Sequence, residues 1–114
     1  MKARIYHNPR CSKSRAALAL LRDRGVETEV IEYLTTPPTQ ATLERLLREL
    51  GTSALALVRT DEPEFRPYRD RSLGDAEVLA LLALHPRLLQ RPIVEVDGRA
   101  CIGRPPERVL ALLA

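Results

Sequence analysis

With 114 residues, 45% of them hydrophobic and 29% charged, the chain has the composition of one globular domain large enough to bury a core without staples. Its net charge of +3 comes from arginines spread along the whole length. Arg66, Arg69 and Arg71, for instance, alternate with Asp61, Glu62, Glu64 and Asp70, the pattern of a solvated loop, which argues against nucleic acid as a partner. No apolar run approaches the roughly 18 residues of a membrane span. The two cysteines suit a cytoplasmic, reducing location in which a thiol acts as a thiol.

In chain order, Ala3 to Tyr6 alternates like a strand, and Pro9 marks the turn into a helix from about Ser12 to Arg24 that Gly25 stops. Val26 to Tyr33 reads as a second strand, so the opening is a βαβ unit with parallel strands and a right-handed crossover. After Pro37-Pro38, Thr39 caps a helix carrying Leu43, Leu46, Leu47 and Leu50 on one face up to Gly51, and Ser53 opens a short helix through Val58. Thr60 to Gly74 reads as an exposed irregular loop, and Asp75 as the cap of a helix with Val78, Leu81 and Leu82 that ends at Pro86. Ile93 to Val96 and Arg99 to Ile102, joined by Asp97-Gly98, carry the signal of a tight antiparallel hairpin. Pro105-Pro106-Glu107 then suits the first turn of a closing helix through Leu113.

The order βαβ, helices, ββα predicts an α/β fold, a thioredoxin-like four-stranded mixed sheet in a single domain over residues 1–114 with a central helical insertion at about 39–90. Cys11 then lies at the carboxyl end of the first strand, where α/β folds place ligands, and at the start of the first helix. Unpaired N–H groups there carry partial positive charge, and Arg10, Lys13, Arg15 and His7 are cationic candidates nearby. Cysteines so placed have pKa values of about 3.5 to 7.5, which makes Cys11 the candidate nucleophile. Serine occupies position 14, where a Cys-x-x-Cys motif would carry its second thiol, so Cys11 lacks an adjacent resolving partner. Ser14 has two readings, a hydroxyl donating toward the thiolate or a first-turn residue satisfying backbone. His7 also has two, stabiliser or proton acceptor of the thiolate on one side and packing on the other. Cys101, between Ala100 and Ile102, reads as a buried core residue, with a disulfide to Cys11 open only if their Cα atoms approach within roughly 7 Å. No His/Cys ligand spacing suggests a metal, and no bound cofactor is expected.

Four segments carry a resemblance that runs from end to end: His7-Asn8-Pro9-Arg10-Cys11-Ser12-Lys13-Ser14-Arg15, Tyr33-Leu34 with Thr36-Pro37-Pro38-Thr39, Arg91-Pro92-Ile93-Val94, and Gly103-Arg104-Pro105-Pro106-Glu107. Together they closely resemble the glutaredoxin-dependent arsenate reductases and their near relatives. The resemblance implies that Cys11 attacks arsenate, or a related oxyanion, and that Arg59, Arg91 and Arg104 surround it. It also implies a cis peptide bond before Pro92, glutathione as reducing co-substrate, and a glutaredoxin as protein partner; we expect a monomer. Guanidinium groups suit the task because they stay protonated and offer planar forks of donors to paired oxygens of a dianion. Arg15 falls too close to Cys11 for the cysteine-x5-arginine loop of the phosphatase-like arsenate reductases. Two rivals share the fold: a related glutathione-linked thiol oxidoreductase with little arsenate activity, and a Spx-type regulator that binds RNA polymerase, whose redox-switch version Ser14 argues against.

Overall fold

Strands and helices begin where the side-chain pattern changes period. In the computed structural model, which describes residues 1–114, β1 (Lys2–His7), α1 (Ser12–Asp23) and β2 (Glu27–Glu32) form the expected βαβ unit, with β1 and β2 parallel. Next come α2 (Gln40–Leu50), α3 (Asp75–Leu84), β3 (Ile93–Val96) and β4 (Arg99–Ile102). The sheet order is β2-β1-β3-β4, with β3 antiparallel to both β1 and β4. This is the four-stranded mixed sheet expected from the element order.

The chain divides into two compact units, one of Met1–Thr36 with Arg91–Ala114 and the other Pro37–Gln90. In the first, Ala3, Ile5, Val94 and Val96 point to one face of the sheet and are buried with Ala17, Leu18 and Leu21 of α1 and with Val109 and Leu112. Register explains the grouping. Pairing of Ala3 with Val96 and Ile5 with Val94 sends these side chains one way, and pairing of Arg4 with Glu95 and Tyr6 with Ile93 sends theirs the other. On that second face the Tyr6 hydroxyl donates to Glu95 Oε1 at 3.0 Å, and Arg4 bridges Glu29 and Glu95. The β3–β4 turn has positive φ at Asp97 (51°) and Gly98 (77°), the pair a two-residue hairpin turn of this hand requires.

The second unit begins at a cap the sequence announces. Thr39 Oγ1 accepts from the Thr42 amide at 3.1 Å, and Leu43 and Leu46 of α2 are buried. The helix α3 contacts α2 and the short 3-10 segments Ala54–Leu57 and Pro86–Leu88. It is apolar nearly all round, with Val78, Leu79, Leu81 and Leu82 buried.

Three local expectations are corrected. Within Thr60 to Gly74, residues Pro63–Tyr68 form a 3-10 helix whose Phe65 is buried, because one aromatic ring amid charges is enough to draw the segment inward. The cap position of α3 is Gly74 and not Asp75. The Asp75 carboxylate instead accepts from the Ala54 amide at 3.1 Å, while Glu77 Oε1 accepts from the Gly74 amide at 3.1 Å. The closing segment Pro106–Leu113 is 3-10 rather than α, since Pro105 and Pro106 supply no N–H and its first bond runs from the Arg108 amide to the Pro105 carbonyl. Replacing Thr39 by alanine should cost about 1 kcal/mol of stability, and Leu21→Ala in the first core about 2–5 kcal/mol, both read as shifts in urea midpoint.

Candidate active site

The sulfur of Cys11 owes its position to a tight turn between β1 and α1. The Cys11 amide donates to the Asn8 carbonyl at 3.0 Å, and Asn8 Oδ1 accepts from the Arg10 amide at 2.9 Å. Cys11 itself is the N-cap residue of α1 in extended backbone conformation, and no acidic residue occupies the first helical turn. Its side chain is partly buried, and both cysteines are free thiols.

Burial pushes the Cys11 thiol up, but the Ser14 and Lys13 backbone amides and the Arg91 guanidinium together outweigh it and hold the thiol below its ordinary value. The sequence pointed to Arg10, Lys13 and Arg15 as the cationic neighbours. All three are exposed, and Arg15 donates to the Pro9 carbonyl at 2.8 Å. The cation that reaches the sulfur comes instead from the far end of the chain.

Ladder register brings it there. Because β3 runs antiparallel to β1 with Ile93 opposite Tyr6, residues just before Ile93 lie beside those just after Tyr6. Because β4 pairs Ile102 with Ile93, residues just after Ile102 lie beside the same point. Arg91-Pro92 and Gly103-Arg104 therefore meet at the end of β1 that carries Cys11. The Arg91–Pro92 peptide bond is cis, the form the resemblance implies, and so is Arg104–Pro105, which the sequence reading did not anticipate. Arg104 Nη1 donates to the Arg91 carbonyl at 3.1 Å. Arg91 Nε and Nη1 are buried without a hydrogen-bond partner. Buried guanidinium donors left unpaired are costly, and an oxyanion beside the sulfur would satisfy them.

His7 and Ser14 are both buried, and His7 Nδ1 lies 2.6 Å from Ser14 Oγ, which also accepts from the Asn8 amide at 3.0 Å. Burial holds the His7 ring below its usual pKa, with Arg22 and Arg15 acting in the same direction against Glu32. A neutral imidazole results near pH 7, so His7 adds no positive charge for the thiolate; its hydrogen-bond partner is Ser14. Ser14 accordingly does two things. Its hydroxyl ties the turn to His7 and Asn8, and its amide favours the anionic sulfur.

Arg59 belongs to the second unit. There its amide donates to the Leu88 carbonyl at 2.7 Å and its guanidinium is ion-paired with Glu62. Cys101 pairs with Val94 in the ladder and is partly buried against the first core, where burial pushes its thiol up with Arg108 opposing; the expected full burial is thus only partial. No group of three or more His, Cys, Asp or Glu side chains gathers to hold a metal ion, and no helix is long and apolar enough to cross a membrane. Sequence reasoning missed the parts played by Asn8 and Gly103. Asn8 precedes a proline in an obvious turn, but its carbonyl, amide and side chain all being used is a tertiary fact. Gly103 directly follows a predicted hairpin strand, so the hairpin register was the signal available for it.

The ArsC family model matches residues 6–112. The chain is 47% identical over 115 aligned residues to the uncharacterized protein YfgD of Escherichia coli strain K12, covering 98% of this chain and 97% of that one. It is 43% identical to an arsenate reductase of Neisseria meningitidis, covering 96% and 97% of the two chains. A solved structure titled arsenate reductase from Vibrio cholerae superposes with a TM-score of 0.93 at 44% identity over 98% of each chain. Matching of the whole βαβ–ββα sheet and of the segments that carry Cys11, Arg91 and Arg104 leaves one assignment: this chain, with its thioredoxin-like fold, belongs to the ArsC family.

Proposed function

We propose that the protein reduces arsenate to arsenite, with Cys11 as nucleophile and glutathione and a glutaredoxin as the source of electrons. The observation that carries this reading is the pairing of an ionisation-prone thiol with buried, unpaired donors of Arg91 in the same corner of the sheet. Family relatives named arsenate reductase give the oxyanion its identity. Arsenate is a tetrahedral dianion near neutral pH, so a thiolate approaches it only once its charge is neutralised. Arg91 does this first, with the guanidinium N–H groups of Arg104 not engaged by the Arg91 carbonyl as a second donor set. Arg59 is the third arginine that the family resemblance implies.

The thiolate then forms a bond to arsenic as one oxygen leaves, taking a proton to depart as water, and arsenic stays pentavalent. A glutathione thiolate then displaces a second oxygen of the same arsenic, which leaves protonated as water, so that arsenic carries both sulfurs and is still pentavalent. Attack of a glutaredoxin thiolate on the glutathione sulfur forms a mixed disulfide and leaves the electron pair on arsenic, now trivalent, which water releases from Cys11 as arsenite. Two thiol sulfurs thus supply the two electrons. Serine at position 14 and the packing of Cys101 against the first core support an external thiol as the resolving partner.

A second reading, a glutathione-linked thiol oxidoreductase with little arsenate activity, draws on the exposed cationic rim of Arg10, Lys13 and Arg15, which suits a thiol bearing carboxylates. Purified protein given arsenate, glutathione and glutaredoxin decides between them. Arsenite should form with the wild type, vanish with Cys11→Ser, and fall roughly 100-fold or more with Arg91→Ala. Wild type with a confirmed free thiol that reduces glutathione mixed disulfides but makes no arsenite would establish the second reading instead. The pH dependence follows from the sign of the thiol shift. Since the shift favours the anion, the rate at saturating arsenate should rise with pH and level off at a lower pH than an unperturbed cysteine would, and Arg91→Ala should carry that inflection upward.

A further inference from the structure

Arg91 precedes β3 in a stretch that lies outside the ladder, so strand pairing alone does not fix where its guanidinium goes. Two contacts from the end of β4 do. The Gly103 amide donates to the Pro92 carbonyl at 2.8 Å, and Arg104 Nη1 donates to the Arg91 carbonyl at 3.1 Å. The carbonyl of the Arg91–Pro92 peptide and the carbonyl that follows it are thereby held by consecutive residues of one segment.

Packing makes the hold tight. A Cβ on Gly103 would stand 2.9 Å from Pro92 Cγ and 3.1 Å from Val109 Cγ1. Val109 and Pro92 are both buried, so neither can retreat into open space, and the proline ring, the closer of the two, would be pressed hardest. Only glycine lets the chain after β4 approach Pro92 this closely. Displacement of Pro92 carries its neighbour Arg91 along, because a single peptide joins them.

We propose that Gly103 and Arg104 form a clamp on the Arg91-Pro92 segment and are positioning residues for the nucleophile, setting through Arg91 the charge that Cys11 experiences. Neither needs to touch the sulfur. This role goes beyond oxyanion binding and is independent of which substrate the thiol attacks, so its test is read on the thiol alone, without arsenate.

Alkylation of Cys11 by iodoacetamide, followed on its own peptide by mass spectrometry across a pH series, reports the ionisation midpoint and separates it from Cys101. Loss of a nearby opposite charge in Arg91→Ala should raise the midpoint by about one pH unit. Arg104→Ala and Gly103→Ala should each raise it by part of that amount while circular dichroism stays native. In the Arg91→Ala background, Arg104→Ala should add nothing, since its effect runs through Arg91. Midpoints equal to wild type in folded Arg104→Ala would overturn the proposal. So would a shift from Arg104→Ala that keeps its full size without Arg91, which would mark a direct charge effect. Should Gly103→Ala fail to fold, the two Arg104→Ala measurements decide alone. Failure of arsenate reduction would leave these midpoints unaffected, so the two readings fall separately.

Discussion

Everything at the site depends on the register of two antiparallel ladders that share β3. Pairing of Tyr6 with Ile93 and of Ile93 with Ile102 fixes, at one end of the sheet, the residues that leave β1, enter β3 and leave β4. A slip by one residue would turn Ile5, Val94 and Val96 away from the first core and carry Arg91 from the sulfur at the same time. Hydrophobic burial on one face of the sheet therefore enforces the chemistry at its end. The apolar side chains that stabilise the fold are also what hold nucleophile and guanidinium in the same place, although 80 positions separate Cys11 from Arg91.

At the sulfur itself, burial and its neighbours act in opposite directions. Partial burial disfavours the thiolate, and an unassisted thiol in that position would stay protonated. Two backbone amides of the first helical turn and one guanidinium reverse the outcome. Burial has a different result at His7, where Arg22 and Arg15 add to it and the Glu32 carboxylate only partly offsets them, and the imidazole stays neutral against Ser14. Desolvation is thus outweighed at the thiol, whose pKa falls, and prevails at the ring four residues earlier, which stays uncharged. What differs is the set of donors facing each group.

Ser14 shows how the family scaffold works with a single thiol. In a dithiol enzyme this helical position would carry the resolving sulfur, whereas here its hydroxyl is taken up by His7 and the Asn8 amide. That arrangement stiffens the turn and leaves the Ser14 and Lys13 amides directed at Cys11.

Much of this was legible in the residue order. Alternation in Ala3 to Tyr6, the Gly25 stop, the Thr39 cap and Asp97-Gly98 are local signals, and each one appears in the fold because it acts within a few residues. So too with Cys11, since a helix N-terminus is a local electrostatic feature. The misreadings arise where a distant partner overrules local preference: Asp75 is drawn from a cap to the Ala54 amide, and Phe65 pulls a charged loop into a buried turn. Local charge likewise suggested Arg10, Lys13 and Arg15 as neighbours of the sulfur, but their side chains reach solvent. By itself the sequence determined the element order, the thiol at the helix start and the turn that presents it, because those rest on contacts short in sequence. Only the tertiary structure decided that Arg91 supplies the charge, that His7 is neutral, and that Gly103 and Arg104 grip the segment before β3, because these depend on which strands lie side by side and how closely they pack.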